Sequence, residues 1–454
     1  MWSIRAPLPV LSWGKDRFVR TRKKKPIKTF HLILLTTLIG GAVSRGGRAE
    51  PPAVSMEDLV AQALHANPDL LAAEAQVAVM RGERRAAGQW KNPEATMEYG
   101  EKRVSNREGE LTAKGNARTW AISQTFEFPG KASLRKAVAE KDVRLAELAL
   151  EQLRLEIAAE ARSLAIAWLA AGHEAAAARE VADRSGALVA MLAKRAPAGV
   201  QFLLEQRVIE ASMVGIETRA RESEEQRDEA RIELNVLLAR GAGEALAIQS
   251  PLDPPALPRG EEMLLVRAKS DGLVLKSREL ELERADTAVD RARLEAAPDF
   301  TIGPFYSQET AVEKEEIVGL GISLPLPFWD SNRGGVDSAR GELDRARANQ
   351  LGSARDTERS LAREYGACRL AIRQLERTPI SSLERLRDAA DLADRQYRLG
   401  AVPVQTYLEM QEQYLEATTG ILGALREAHD RFLRIQVLTA DMSLLAPSEK
   451  KGQP

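Results

Sequence analysis

The stretch RTWAISQTFEFPGK, Arg118 to Lys131, decides the fold because one periodicity gives way to another within it. Large apolar side chains take the even positions Trp120, Ile122, Phe126 and Phe128, and small or polar ones take Thr119, Ala121, Ser123, Thr125 and Glu127. A period of two predicts a strand with one apolar face, and only Gln124 breaks it. Pro129-Gly130 then predicts a turn into a helix, because helical composition continues from Lys131 to Arg195.

The composition is that of a folded, helix-rich protein. The chain has 454 residues, of which 44% are hydrophobic, 29% are charged and only 5% are aromatic. Abundant Ala, Glu, Arg and Leu favour long helices. Cys368 is the single cysteine, so the chain cannot form an intramolecular disulfide or a thiolate cluster for a metal.

Residues 1–49 are predicted to be a secretory signal peptide. Six Lys or Arg between positions 20 and 28 precede an apolar run over 30–43, which is too short to cross a bilayer comfortably as a helix. Gly47 and Ala49 are the small residues expected at positions −3 and −1 of a signal-peptidase cleavage site before Glu50.

The mature chain is predicted to be acidic. Removal of 1–49 takes eleven of 65 Lys and Arg and one of 66 Asp and Glu, which leaves 54 against 65 and a formal charge of −11. This balance argues against a nucleic-acid partner, which requires a basic surface. No later segment reaches eighteen consecutive apolar residues, so any membrane insertion is expected to use strands.

The remaining chain divides into two halves with the same predicted order of elements, an internal twofold repeat. The first half, 50–250, is predicted to contain a helix capped by Ser55, a β-hairpin over 95–128 with a charged loop from Lys102 to Ala117, a long helix over 131–195 and a returning helix over 202–238. A Pro-rich linker over 251–260 follows.

The second half, 261–442, repeats this order. It is predicted to contain a helix, a hairpin over 300–326 with a polar loop from Ser307 to Glu315, a long helix over 332–399 and a returning helix over 404–438. Thr378-Pro379 predicts a kink or a restart in the long helix, and Ser381 and Ser382 are its candidate caps. Residues 443–454 are predicted to be a disordered tail.

The dimensions of these elements favour a membrane duct. Four alternating strands of about ten residues match a tilted crossing of a bilayer, but known barrels need about eight strands, so copies must combine. The even positions are predicted to face lipid, namely Trp120, Ile122, Phe126, Phe128, Leu320, Ile322 and Leu324. The first long helix would measure roughly 100 Å, and shorter helices laid end to end beside it would form the wall of a hollow cylinder.

The signal peptide, the repeat and the elbows Phe128-Pro129-Gly130-Lys131 and Leu326-Pro327-Phe328-Trp329 resemble TolC-type outer-membrane efflux proteins. The resemblance implies a mixed α and β fold, in which a trimeric outer-membrane β-barrel with four strands per protomer continues into a long periplasmic α-helical barrel. It also implies a homotrimer in outer-membrane lipid, a periplasmic adaptor (membrane fusion) protein and an inner-membrane pump, with no cofactor.

A narrower resemblance concerns the cargo. Ser123 to Lys131 is similar to the CzcC-like heavy-metal resistance branch, which works with pumps of the resistance-nodulation-division class. Heavy-metal cations and other small molecules both remain open as cargo, because an open duct need not recognise what passes through it.

The resemblance also assigns roles at the turns between long and returning helices, where the pore closes and the adaptor docks. It implies a periplasmic gate at Glu409, Glu205 and Thr406, and docking tips at Gly199, Gly400 and Tyr397. The glutamates have a plainer interpretation as solvated helix residues. Each glycine is also expected to end a helix in a left-handed turn.

Catalysis and metal binding find no support in the sequence. The four histidines, His31, His65, His173 and His429, lack the spacing of a metal site, and no Ser or Cys has a recognisable base. The main alternative function is that of a periplasmic coiled-coil scaffold or adaptor without its own pore. An adaptor has one helical hairpin, whereas this chain is predicted to have two.

Overall fold

The computed structural model describes residues 53–193, 200–256 and 260–445. These residues form nine α-helices, four β-strands and one 3₁₀ turn. The predicted signal peptide, Gly199 and most of the predicted tail lie outside the described residues. Among the described helices, none combines the length and the apolar character needed to cross a membrane.

The first half of the chain follows the predicted order of elements. It consists of α1 (Met56–Ala66), α2 (Pro68–Ala87), β1 (Glu94–Ser105), β2 (Leu111–Phe126), α3 (Lys131–Ala193) and α4 (Val200–Leu237). Ser55 caps α1 as predicted, because its Oγ accepts the Asp58 N–H at 3.1 Å. The first helix is nevertheless two helices, since Asn67 caps a second one by accepting the Asp69 N–H at 2.8 Å.

The second half has the same order, with one additional break. It consists of α5 (Glu261–Asp271), α6 (Leu273–Glu295), β3 (Phe300–Thr310), β4 (Lys314–Ser323), α7 (Arg333–Arg377), α8 (Ser382–Arg398), α9 (Val404–Leu438) and the 3₁₀ turn Met442–Leu444. The restart at Pro379 is confirmed, so the single helix over 332–399 is corrected to two. Pro379 has no N–H to donate and disfavours a helical residue before it. Ser381 precedes α8 without a side-chain cap.

The four strands form one antiparallel sheet in the order β1-β2-β3-β4. The charged loops of both hairpins were predicted too long: only 106–110 and 311–313 separate the paired strands. Charged residues remain in the ladder because they pair across strands, as Lys102 does with Glu309 at 2.6 Å. Both β1 and β4 have one edge without a strand partner among the described residues.

The helices pack around α3, whose 63 residues extend roughly 95 Å. Ion pairs join its first part to α2, as between Arg154 and Glu74 at 2.8 Å, whereas Arg227 of α4 lies over the Trp168 ring at 4.7 Å. The helices α6 and α9 both contact α3 and α7. Short helices thus follow one another along a long one, as predicted.

Candidate functional site

The turn between α8 and α9 is built on Gly400, one of the predicted docking tips. Its φ of +75° lies in the left-handed region, and its N–H donates to the Tyr397 carbonyl at 2.9 Å. The Ala401 N–H donates to the Gln396 carbonyl at 2.9 Å, which completes a Schellman cap. The left-handed helix end predicted for Gly400 is therefore confirmed.

Tyr397 joins this turn to the other predicted residues. Its hydroxyl donates to Glu205 Oε2 at 3.3 Å, which connects α8 with α4. Its ring stacks on Tyr407 with centroids 5.5 Å apart. Tyr407 is fully buried and its hydroxyl bonds Ser185 Oγ at 3.0 Å, and burial raises the pKa of Tyr407. Tyr397 is thus part of the packing of the turn.

Glu409 and Thr406 are one helical turn apart on α9, so they lie on the same side of that helix. Glu409 is exposed and Thr406 is half-buried. The structure brings Glu205 to Tyr397 but shows no ion pair or hydrogen bond of Glu409 within the described ranges. Whether these three residues form a gate stays a prediction at this point.

Sequence reasoning missed a charged network that joins α3 to α8 near this turn. Glu180 accepts hydrogen bonds from Arg184 and from Arg387, the latter at 2.7 Å, and Arg184 also pairs with Asp391. The cross-helix partners are about 207 residues apart, so spacing along one helix could not reveal them. The available signal was the i, i+4 spacing of opposite charges on both helices.

A second candidate surface is one face of the sheet. Met97 pairs with Trp120, Trp120 with Tyr306, and Tyr306 with Val318, so a row of large side chains crosses all four strands. The members of this face that are both large and exposed are Met97, Tyr99, Trp120, Ile122, Phe300, Val318, Leu320 and Ile322. We call this set the apolar face. The opposite face carries hydroxyl contacts, such as Thr125 to Thr301 at 2.9 Å.

The residues predicted to face lipid separate into three groups. Trp120, Ile122, Leu320 and Ile322 belong to the exposed apolar face. Phe126 is half-buried, because its ring stacks on Phe300 at 5.4 Å and meets the edge of Trp90 at 5.8 Å. Phe128 and Leu324 are exposed but lie beyond the ends of their strands, since β2 ends at Phe126 and β4 at Ser323.

The elbow between β2 and α3 is held by Asp299. One carboxylate oxygen, Oδ1, accepts both the Phe128 N–H at 3.1 Å and the buried ammonium of Lys131 at 2.8 Å. Burial alone would raise the pKa of Asp299, but these two hydrogen bonds outweigh it and hold the pKa below its usual value. Gly130, with a φ of +102°, makes the turn.

Metal ligands do not converge anywhere in the described ranges, where no three His, Cys, Asp or Glu side chains are grouped suitably. Cys368 is buried on α7, and burial raises the pKa of its thiol to about 11. His429 Nε2 lies 2.8 Å from the Asp253 carbonyl of the inter-repeat linker. Cys368 is therefore part of the helix packing, and His429 contacts the inter-repeat linker.

Comparison with known proteins supplies the family context. The family model described as Outer membrane efflux protein matches residues 59–240 and 264–440. The chain is 24% identical over 307 residues to the cobalt-zinc-cadmium resistance protein CzcC of Cupriavidus metallidurans, which covers 67% of this chain and 72% of CzcC.

Solved channels share the fold. The Campylobacter jejuni CmeC outer membrane channel aligns with a TM-score of 0.69 at 16% identity, covering 85% of each chain. The Neisseria gonorrhoeae MtrE outer membrane channel, solved in its open state, aligns with a TM-score of 0.68 at 15% identity, covering 85% of this chain and 88% of MtrE.

Proposed function

The chain belongs to the outer membrane efflux protein family and is an outer-membrane efflux channel component, and from this we propose that three copies form one duct. In this homotrimer the sheets combine into a twelve-stranded barrel in outer-membrane lipid, and the helices continue it as a periplasmic barrel. The channel carries out no chemical reaction; it conducts its cargo passively.

The observation that carries this proposal is the apolar face of an open sheet. Val318 is 80% exposed and Leu320 is 62% exposed, yet both lie in the middle of a strand whose backbone is paired on one side. Burying such side chains in lipid removes them from water. Four strands cannot close on themselves, whereas twelve can, with the hydroxyl-bearing face lining the interior.

The order of the helices supports a duct formed from two similar halves of the chain. Both halves have the order helix pair, hairpin, long helix and returning helix, which is the basis for an internal twofold repeat with the predicted boundaries 50–250 and 261–442. The family works with a periplasmic adaptor and an inner-membrane pump. For this chain we propose a pump of the resistance-nodulation-division class. We also propose that the predicted signal peptide over 1–49 directs secretion of the chain.

Heavy-metal cations are the proposed cargo. The support is the similarity to CzcC, whose name describes resistance to cobalt, zinc and cadmium. Deleting the gene and growing the strain on metal salts, dyes and detergents tests this assignment. Sensitivity to divalent metals alone supports it, and sensitivity to dyes or detergents with normal growth on metals overturns it.

The proposed gate uses Glu409 of each copy, together with Thr406 one turn before it on α9 and Glu205 on α4. Three exposed carboxylates around a narrow mouth would concentrate negative potential, attract cations and slow anions. Gly400 and Tyr397 of the α8–α9 turn, and Gly199 of the other turn, are the proposed docking tips for the adaptor.

Single-channel recording tests the gate. We expect Glu409→Gln to reduce cation preference and block by divalent cations, because it removes three charges from the mouth. The control is Glu279→Gln, an exposed glutamate on α6, which should leave both properties unchanged. Equal behaviour of the Glu409→Gln variant and the unmodified channel would exclude Glu409 from the gate.

Cell fractionation tests the channel against the scaffold alternative. A heat-modifiable oligomer in the outer membrane is the expected result. A purely soluble periplasmic protein would favour a coiled-coil scaffold or adaptor without its own pore, and it would overturn the proposed trimeric barrel.

A further inference from the structure

The two elbows of the chain correspond in backbone conformation. Gly130, with a φ of +102°, precedes the first residue of α3, and Asn332, with a φ of +55°, precedes the first residue of α7. Glycine adopts a positive φ readily and Asn does so more often than most other residues, so each elbow carries a residue suited to this turn. A shift of 202 residues carries Gly130 onto Asn332 and Lys131 onto Arg333.

The hairpins correspond as well. Thr96 pairs with Ala121 in the first hairpin, and Thr301 pairs with Ser323 in the second. Ala121 and Ser323 are again 202 residues apart, whereas Thr96 and Thr301 are 205 apart. The shift of 205 also carries Pro93 onto Pro298, and therefore Glu94 onto Asp299.

The first elbow has its partner within the same copy. Lys131 is buried and its ammonium lies 2.8 Å from Asp299 Oδ1. The ladder between β2 and β3 continues to the pair Phe126 and Phe300, whose rings stack. Strand, aromatic contact and ion pair therefore close this junction together.

At the second elbow the corresponding ion pair, strand ladder and cross-strand ring contact are missing among the described residues, and the Phe328 ring meets that of its chain neighbour Trp329, with centroids 6.2 Å apart. Arg333 and Glu94, which correspond to Lys131 and Asp299, are both exposed and have no ion-pair partner in the part of the chain that the structure describes. Phe328, which corresponds to Phe126, is 76% exposed, and Trp329 beside it is 96% exposed. The strand β4 ends at Ser323, five residues short of Phe328.

We propose that the second elbow is closed by a second copy of this chain, with Arg333 paired to Glu94 of the partner subunit and Phe328 beside the partner subunit's Ala95. The inference rests on the proposed homotrimer and adds the register in which β4 of one copy meets β1 of the next. Adding 202 to the number of Phe126 gives Phe328, and subtracting 205 from that of Phe300 gives Ala95, so the pair Phe126 and Phe300 places Phe328 opposite Ala95 of the partner subunit. The free edges of β4 and β1 supply the backbone of this seam.

The sequence of the second elbow fits such a contact. Pro325 and Pro327 lack N–H donors, so this segment has fewer backbone bonds to offer than β2 has at the first elbow. Side chains must then contribute more of the seam. Arg333 suits this role better than a lysine, because its guanidinium bonds a carboxylate with two parallel N–H donors.

Cysteine cross-linking of the full chain in detergent tests the register. Directly opposed strand residues lie within disulfide reach, so the double variant Phe328→Cys with Ala95→Cys should form covalent oligomers under oxidation. The matched control, Phe328→Cys with Tyr99→Cys, is four residues out of register and should not. Cys368 is buried, which limits background linkage. Linkage to position 99 instead of 95 overturns the register.

Charge reversal tests the ion pair. Glu94→Arg and Arg333→Glu should each lower the temperature at which the oligomer dissociates in detergent, and the double variant should recover most of that loss. If Arg333 and Glu94 face each other, exchanging their charges restores the attraction. A double variant no better than the worse single variant therefore overturns the pairing.

Light scattering separates this inference from the proposed function. A protein that is monomeric in detergent under all conditions overturns the trimer and the seam together. A trimer that shows neither the cross-link nor the charge rescue overturns only the seam.

Discussion

At the scale of single residues, two alanines adopt backbone conformations that usually belong to glycine. Ala239 has a φ of +52° after α4, and Ala440 has a φ of +48° after α9. Each is followed by a residue whose N–H reaches back to the helix, Arg240 to the Asn235 carbonyl and Asp441 to the Gln436 carbonyl, both at 2.8 Å. Both are thus Schellman caps closed by a strained residue.

We expect Ala239→Gly and Ala440→Gly each to raise the free energy of unfolding by about 1 kcal/mol, because glycine removes the Cβ that this conformation disfavours. Thermal melting followed by circular dichroism measures the effect. Gly400→Ala is the reverse control: a Cβ there meets no atom within 4 Å, so its expected loss of about 1 kcal/mol comes from the φ of +75° alone. Equal melting temperatures for all three variants would contradict this account.

A buried carboxylate on α3 gives a prediction about pH. Glu174 is 7% exposed, its Oε1 has no hydrogen-bond partner among the described residues, and burial raises its pKa despite the charge of Arg426. A raised pKa in the folded state means that stability is greatest below the ordinary value of 4.5 and falls as pH rises through the shifted value.

Glu174→Gln should therefore raise the free energy of unfolding at pH 7 by about 1 kcal/mol and flatten its dependence on pH above 4.5, because the amide carries no charge. Chemical denaturation at several pH values measures both effects. Glu160→Gln, an exposed position on the same helix, is the control and should leave the pH profile unchanged. A steep profile retained in Glu174→Gln would assign the pH dependence to another group.

At the scale of elements, the elbow between β2 and α3 concentrates buried charge at one point. Asp299→Ala should lower the free energy of unfolding by about 2–3 kcal/mol, because it leaves the Lys131 ammonium buried and the Phe128 N–H without its acceptor. The pKa of Asp299 lies below its usual value, so this contribution is present above pH 3.8 and is lost as pH falls further.

The matched control for the elbow is Glu283→Ala. Glu283 accepts from Lys141 at the same distance of 2.8 Å, but its side chain is 56% exposed. Solvent screening should limit its loss to under about 1 kcal/mol. Similar melting temperatures for the two variants would show that burial of Lys131 does not determine the loss of stability in Asp299→Ala.

The elements also show what sequence patterns can predict. Alternation at Trp120 and Ile122 and the proline at 379 are local signals, and they placed strands and the helix break correctly. The charged segment after Lys102 is predicted to be a loop, but Lys102 pairs with Glu309 on another strand and the segment belongs to the sheet. Contacts such as Arg387 to Glu180 join distant positions, so no local pattern encodes them.

At the scale of the whole molecule, the apolar face should decide where the protein resides. Leu320→Arg places a charge among side chains proposed to contact lipid, and such a change costs about 2–4 kcal/mol near the middle of a bilayer. We expect it to reduce the amount of protein recovered in the outer-membrane fraction severalfold.

The control for this variant is Gly321→Ala on the opposite face of the same strand. An added Cβ there would lie 3.6 Å from the Gly303 carbonyl oxygen, an ordinary contact, so recovery should be unchanged. Normal insertion of Leu320→Arg would mean that this face does not meet lipid.

The order of the strands has a consequence for how the chain folds. β2 pairs with β3, and the bond between Asn116 and Thr310 joins positions 194 residues apart. Closing so long a loop is slow, and ribosomes deliver the first hairpin well before the second. The first hairpin must therefore wait with one edge of β2 unpaired until the second half of the chain arrives. We expect the sheet of a protein built this way to be among the last parts to assemble, so the unpaired edge of β2 needs protection from other strands until then.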